Sequence, residues 1–116
     1  LSAYCGAVSA GAGAGAGIAY LHGGGCREIS HTIVNALAVT SGIVCDGAKA
    51  SCASKIATAV EAGILGYNMH IQDQDFQPDD GLVGDTPEDT ISNIGRLGKE
   101  GMKSTNEEII KIMVGN

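Results

Sequence analysis

Large aromatic side chains are nearly absent from this sequence, which has no Trp, one Phe and three Tyr among 116 residues. A core must therefore be built mainly from Ala, Ile, Val and Leu. Eighteen glycines indicate secondary-structure elements that approach one another closely. The hydrophobic fraction of 44% still suits a folded protein rather than a disordered one. The length predicts one small domain over residues 1–116.

Positive charge is also scarce. Seven Lys and Arg stand against thirteen Asp and Glu, which gives a formal net charge of −6. A protein that binds nucleic acid through a basic surface needs the opposite balance. We therefore expect no nucleic-acid partner.

Residues 1–26 carry no charged side chain, which raises the question of a membrane helix. Ala and Gly dominate the stretch from Gly6 to Gly17, and both gain little free energy on leaving water. No basic segment precedes the stretch, as one would in a signal peptide. We therefore predict no membrane partner and a cytoplasmic location. Because the chain begins at Leu1 within an apolar stretch, we interpret it as a fragment of a longer protein.

Apolar periodicity predicts an all-α fold. A Gly/Ala-rich helix is expected over residues 5–21, held by close packing because glycine is a poor helix former. Steps of three and four between apolar residues predict a second helix in the run from Glu28 to Val44. A third is expected over residues 48–65, with Gly66 as its stop. Without any strand ladder, these helices indicate a compact helical domain.

The composition changes in residues 67–86, which predict an acidic surface loop. Between Gln72 and Asp85 there are five Asp and no basic residue. Their spacing does not fit an EF-hand, so we interpret the segment as a solvated loop.

Two helices are predicted after the loop. Thr86 is suited to cap the first, Pro87 to begin it and Gly101 to end it. The segment Ser104–Glu107 has the form of a capping box for the second. Its apolar stripe is Ile109, Ile110, Met113 and Val114.

The alternating tract from Gly11 to Ala16 fits a loose G-x-G-x-x-A dinucleotide pattern. That pattern is informative only after a buried strand, and none precedes it here. We therefore interpret the tract as a surface for close helix packing.

The four cysteines leave metal binding, catalysis and simple burial open, since disulfides are rare in the cytoplasm. Cys45 is expected at a helix entrance, where free N–H groups and nearby lysines favour a thiolate. From spacing alone, inert buried cysteines are the simpler interpretation. His22, His31 and His70 match no H-E-x-x-H pattern, and His31, in an apolar run, is predicted to be a satisfied core histidine.

The segment Ser41–Ile56 closely resembles the C-terminal part of the bacterial serine dehydratase-like alpha-chain family. Tyr4-Cys5-Gly6 and Ile33-Val34-Asn35 are also similar to that family, whose characterised relatives are L-serine dehydratases and L-cysteine desulfidases. The resemblance covers nearly the whole chain but only about the last quarter to third of a full-length member. Cys45-Asp46-Gly47-Ala48-Lys49 looks closest to the desulfidase branch. The serine dehydratases proper carry Cys-Asp-Pro, with wider spacing to the next cysteine, so Gly47 is a departure from their pattern.

The resemblance implies an oxygen-sensitive four-iron four-sulfur cluster on three cysteines, which by position are Cys5, Cys45 and Cys52. We assign no family counterpart to Cys26, which lies in the glycine-rich connection. Three ligands leave one iron open as a Lewis acid. The implied reaction removes H2S from L-cysteine or water from L-serine and gives pyruvate and ammonia, without pyridoxal phosphate.

No catalytic residue is assigned, because we expect the base and most substrate-binding groups in an N-terminal part that this sequence lacks. Asp46 and Lys49 flank the implied site, and His31 is a candidate hydrogen-bond donor to its ligands. The expected partners are a small amino-acid substrate, that N-terminal part and a second copy of the chain. Two other functions stay open: a metal-free helical module that packs or binds a partner with its cysteines reduced, and a zinc domain on Cys and His.

Overall fold

Helices make up most of the computed structural model, which describes residues 4–115. Among the described residues, the β-type pairing is one isolated antiparallel bridge between Tyr4 and Val44. The all-α prediction is therefore confirmed. The five α-helices of the described residues are α1 (Ala7–Leu21), α2 (Cys26–Thr40), α3 (Ser51–Ile71), α4 (Pro87–Arg96) and α5 (Lys103–Val114).

The helices α1, α2 and α3 pack against one another, and glycines set the contact between α1 and α3. A Cβ at Gly15 would lie 2.8 Å from the Cα of Gly63, so the two backbones touch. Gly11 meets the carbonyl of Ala59 in the same way. The Gly/Ala tract therefore lies within α1 and packs closely against α3. The prediction of close helix packing is confirmed, and the tract is not the strand-to-helix loop of a dinucleotide-binding motif.

A cluster of buried apolar residues lies where α1, α2 and α4 meet, and its members are Val8, Ala12, Ala36, Leu37 and Ile94. Small side chains on α1 let the larger ones of α2 and α4 approach. Tyr4, before α1, and Ile43, after α2, pack against this cluster. The start of the described chain, the end of α2 and the helix α4 therefore lie close together.

Two predicted helix ends were wrong. The second helix ends at Thr40 rather than Val44. The third continues past Gly66 to Ile71. Gly66 is buried inside α3, where a Cβ would lie 2.9 Å from the carbonyl oxygen of Thr32, so it serves close packing against α2 and does not stop the helix.

The acidic loop consequently begins at Gln72, and most of it is exposed as predicted. Asp75 departs from that prediction, since only 10% of its side chain is accessible to solvent. The loop therefore contributes one largely buried carboxylate to the interior.

Helix α4 begins as predicted, with the Thr86 hydroxyl accepting the N–H of Asp89 at 3.1 Å. It passes into a π-helical turn, Leu97–Gly101. The capping box predicted at Ser104–Glu107 was wrong, because Ser104 lies inside α5 and the cap position is Met102. Within the described residues, no helix is long and apolar enough to cross a lipid bilayer.

Candidate metal centre

The Tyr4–Val44 bridge brings two of the predicted cysteine ligands onto neighbouring chain segments. The N–H of Cys5 donates to the carbonyl of Ile43 at 3.1 Å. Cys45 follows Val44 on the paired segment, which is irregular and precedes α3 by several residues. The prediction that Cys45 lies at a helix entrance was wrong.

Cys52 occupies the helix entrance instead, in the first turn of α3. Its Sγ lies 3.4 Å from the backbone N–H of Lys49 and 3.3 Å from the carbonyl oxygen of Gly47. The first contact donates a hydrogen bond to sulfur and persists in a thiolate. The second uses the thiol proton and is lost when Cys52 ionises or binds metal.

Gly47 shapes the loop between Cys45 and Cys52. Its φ of +92° lies in the left-handed region that side chains disfavour. A Cβ there would also lie 2.7 Å from Cε of Met113 on α5. Proline requires φ near −65°, so the Cys-Asp-Pro sequence of the serine dehydratases does not fit this loop conformation.

Lys55 ties the loop to α3. Its Nζ donates to the carbonyl of Val44 at 3.0 Å and to Oδ1 of Asp46 at 2.6 Å. The Asp46 hydrogen bond raises the pKa of Lys55, and the charges of Cys5 and Cys52 act in the same direction. The same hydrogen bond lowers the pKa of Asp46. A cation therefore stands close to two of the three candidate thiolates.

All four cysteines are free thiols within the described residues, and they fall into two groups. Cys5, Cys45 and Cys52 are half-buried, whereas Cys26 is exposed at the start of α2. Three partly shielded sulfurs, an N–H donor and a lysine are the chemistry that iron–sulfur clusters use. Among the described residues, the side chains that lie close enough together to bind one ion do not include these three cysteines.

Two cavities adjoin Tyr4, the neighbour of Cys5. One, of about 510 Å³, is lined largely by apolar side chains of α1, α2 and α4 and by Cys5 itself. The other, of about 540 Å³, is lined by Lys99, Lys103, Asn106 and Glu107. The buried hydroxyl of Tyr4 has no hydrogen-bond partner among the described residues, and burial raises its pKa.

A second polar cluster, which sequence reasoning missed, lies where the C-terminal end of α3 meets α2. The rings of His31 and His70 stack with their centroids 4.9 Å apart. Nδ1 of His70 lies 3.0 Å from Oδ2 of Asp75, and Nδ1 of His31 lies 3.4 Å from the same oxygen. With 37% of its side chain exposed, His31 is not the core histidine that was predicted.

Asn35 anchors this cluster and is fully buried. Its amide nitrogen donates to Oδ1 of Asp75 and to the carbonyl of Gly66, both at 3.0 Å, while its oxygen accepts the N–H of Phe76 at 3.0 Å. Burial raises the pKa of Asp75, but the hydrogen bonds from Asn35 and His70 outweigh it and hold that pKa below the ordinary value. From the sequence, Asn35 was named only within the family-like segment Ile33-Val34-Asn35, and no local signal pointed to this network.

Comparison with known proteins agrees with the resemblance in the sequence. A model of the family described as "Serine dehydratase alpha chain" matches residues 1–111. The chain is 66% identical over 114 residues to a UPF0597 protein of Desulfitobacterium hafniense, covering 98% of this chain and 26% of that protein. UPF0597 proteins of Lachnoclostridium phytofermentans and Finegoldia magna are 57% and 51% identical over the same share of this chain and 27% of their own lengths.

No solved structure matches the chain significantly. The chain spans only about a quarter of the length of these curated relatives. The family match nevertheless covers nearly every residue, including all four cysteines. The chain therefore belongs to the serine dehydratase alpha-chain family.

Proposed function

We propose that this chain is the iron–sulfur-carrying C-terminal part of a longer, cytoplasmic ammonia-lyase. The enzyme eliminates H2S from L-cysteine or water from L-serine and releases pyruvate and ammonia, without pyridoxal phosphate. Family membership supports a lyase-type enzyme, and the length of the relatives supports a longer protein. The observation that carries the proposal is the Tyr4–Val44 bridge, because it gathers residues that stand forty positions apart in the sequence.

In this proposal Cys5, Cys45 and Cys52 hold the cluster, and Cys26 does not. A four-iron four-sulfur cluster on three thiolates supplies one iron that is free to act as a Lewis acid toward the substrate. The chain's own residues set the surroundings of the sulfurs. The N–H of Lys49 donates toward Cys52, and Lys55 holds the Cys45 loop through Val44 and Asp46.

Of the two cavities beside Tyr4, the one of about 540 Å³ is the proposed binding place for the amino acid. Lys99 and Lys103 offer positive charge for its carboxylate, and Glu107 offers negative charge for its ammonium group. The buried Tyr4 hydroxyl needs a hydrogen-bond partner, which a substrate oxygen supplies. The base that removes the α-proton is proposed to come from the N-terminal part of the same protein.

The experiment uses the full-length protein purified without oxygen. Sulfide, ammonia and pyruvate are measured with L-cysteine and with L-serine as substrates. We expect equal amounts of pyruvate and ammonia from at least one of them. Equal production by the pyridoxal-phosphate-free protein supports the proposal, whereas no turnover of either amino acid contradicts it.

Substitution of Tyr4 by Phe tests the binding place separately. It removes only the hydroxyl, so we expect KM to rise about tenfold or more with a smaller change in kcat, because a substrate hydrogen bond is lost. An unchanged KM would place the substrate elsewhere. The matched control is Tyr20→Phe, since Tyr20 is exposed on α1.

A further inference from the structure

His31, His70 and Asp75 gather three potential metal ligands at the end of α3 away from Cys52. One nitrogen from each histidine and one carboxylate oxygen lie within 4.8 Å of one another. Cys52 and His70 lie near opposite ends of α3, about 27 Å apart along a helix that rises about 1.5 Å per residue. The cluster is therefore physically separate from the proposed iron–sulfur centre.

Of the two separations from Asp75, one lies in the range expected for ligands of one ion and the other is slightly shorter. Metal–ligand bonds of about 2.0–2.2 Å in a tetrahedron place the ligand atoms about 3.3–3.6 Å apart. Oδ2 of Asp75 lies 3.4 Å from Nδ1 of His31 and 3.0 Å from Nδ1 of His70. At 3.4 Å, the His31–Asp75 separation is longer than an ordinary N–H···O hydrogen bond and matches the spacing of two ligands on one ion.

The surroundings also match those of a metal site. Ligating histidines commonly donate their other ring nitrogen to a carboxylate. Nε2 of His70 lies 3.5 Å from Oε2 of Glu28, and the other oxygen of Glu28 accepts the N–H of Gly25 at 2.8 Å. Asn35 fixes the second oxygen of Asp75. Both outer partners are thus held in place by further hydrogen bonds.

Burial distinguishes this cluster from a group of surface side chains. His70 and Asp75 are about nine-tenths buried, whereas His31 borders a small cavity formed with the start of α4. Two ligands are thereby fixed and shielded, and the third faces an open side. That arrangement leaves a route for an ion and a further coordination position.

We propose that His31, His70 and Asp75 bind one first-row divalent transition-metal ion of the zinc type. Two imidazoles and one carboxylate form a donor set that such ions prefer over Mg²⁺ or Ca²⁺, which favour oxygen ligands. The site is independent of the iron–sulfur proposal, because it shares no residue with it.

The test titrates Co²⁺ into the full-length protein carrying Cys45→Ala, which weakens competition from the cysteines. We expect one Co²⁺ per chain with visible d–d bands and no intense thiolate charge-transfer band, and displacement by Zn²⁺ but not Mg²⁺. Adding His31→Gln should lower the affinity at least 100-fold. Adding Glu28→Gln should lower it about 10–100-fold, as for other partners of metal-binding histidines.

The matched control is His22→Gln, which removes an exposed histidine of α1's C-terminal cap and should leave Co²⁺ affinity unchanged. Equal affinity in the His31→Gln and His22→Gln proteins would overturn the site. X-ray absorption at the zinc edge is measured on the parent protein, so it does not depend on whether a substituted protein folds. Two imidazoles and no sulfur support the site, whereas a sulfur shell near about 2.3 Å, or no retained zinc, overturns it.

Discussion

At the scale of single residues, the buried amide of Asn35 links three parts of the fold. It joins the carbonyl of Gly66 on α3 to Asp75 and Phe76 in the acidic loop. Removing the side chain takes one hydrogen bond from each of these three partners. Its influence on stability should therefore exceed that of an ordinary surface asparagine.

Asn35→Ala is expected to lower the free energy of unfolding by about 2–4 kcal/mol, because three partly or fully buried polar groups each lose a hydrogen bond. Urea unfolding of the chain measures the change. Asn68→Ala is the control, since Asn68 is exposed on α3, and its change should stay within about 0.5 kcal/mol. Similar losses for the two variants would show that the network does little for stability.

Gly47 gives a second test at this scale. Gly47→Ala should cost about 1–2 kcal/mol because φ is positive there, and it should lower the iron content of full-length protein by moving the Cys45–Cys52 loop. The comparison is Gly42→Ala, in the same connection, where an added Cβ meets nothing within 4 Å. Equal iron in both proteins would contradict the proposed role of the loop.

The residue-scale features were the least predictable from sequence. Cys5, Cys45 and Cys52 came from a family pattern, and their ligand role stays a prediction. His70 lies near Asp75 because α3 continues past Gly66 to Ile71. This continuation was missed because Gly66 was predicted to end the helix. A long-range contact of this kind has no periodic or local signature.

At the scale of elements, the α1–α3 contact accounts for the unusual glycine content. Buried glycines of α1 meet α3 backbone, whereas Gly13 and Gly17 on the same helix are exposed and meet nothing. Glycine in a helix costs about 1 kcal/mol relative to alanine. Only the buried positions recover that cost, through closer packing.

Gly15→Ala should therefore destabilise the chain by a net value of about 1–2 kcal/mol, because its Cβ meets the Gly63 backbone at 2.8 Å. Gly13→Ala is the same substitution two residues away and should stabilise the chain by up to about 1 kcal/mol. Thermal or urea unfolding of both variants checks the signs. Two changes of the same sign would contradict the close-packed interface.

Most elements could be predicted from periodicity and caps, as α1, α2 and the start of α4 show. The start of α5 could not, because Ser104 and Glu107 satisfy a capping pattern without occupying the cap. In α5 no residue is buried, so its apolar stripe does not face the interior of the described chain. A pattern identifies an apolar face but not the surface that covers it.

At the scale of the whole molecule, several large apolar side chains of the described chain are exposed. Leu21, Ile71, Ile112 and Val114 are each more than half exposed. These positions lie on three different helices. They agree with the proposal that further polypeptide of the same enzyme covers this chain.

The chain alone is accordingly expected to lack lyase activity. In the proposal it supplies the cluster ligands and the N-terminal part supplies the base, so pyruvate formation from L-cysteine or L-serine should stay at background even after anaerobic reconstitution with iron and sulfide. The full-length protein, reconstituted in the same way, is the positive control. Turnover by the chain alone would place the complete active site within these 116 residues.

The most direct measurement is iron and acid-labile sulfide in the full-length protein, purified without oxygen, beside its Cys45→Ala and Cys26→Ala variants. The account predicts about four irons and four sulfides per chain in the parent and in the Cys26→Ala protein, and loss of both from the Cys45→Ala protein. Iron absent from the parent, or lost equally from the two variants, would contradict a cluster on Cys5, Cys45 and Cys52.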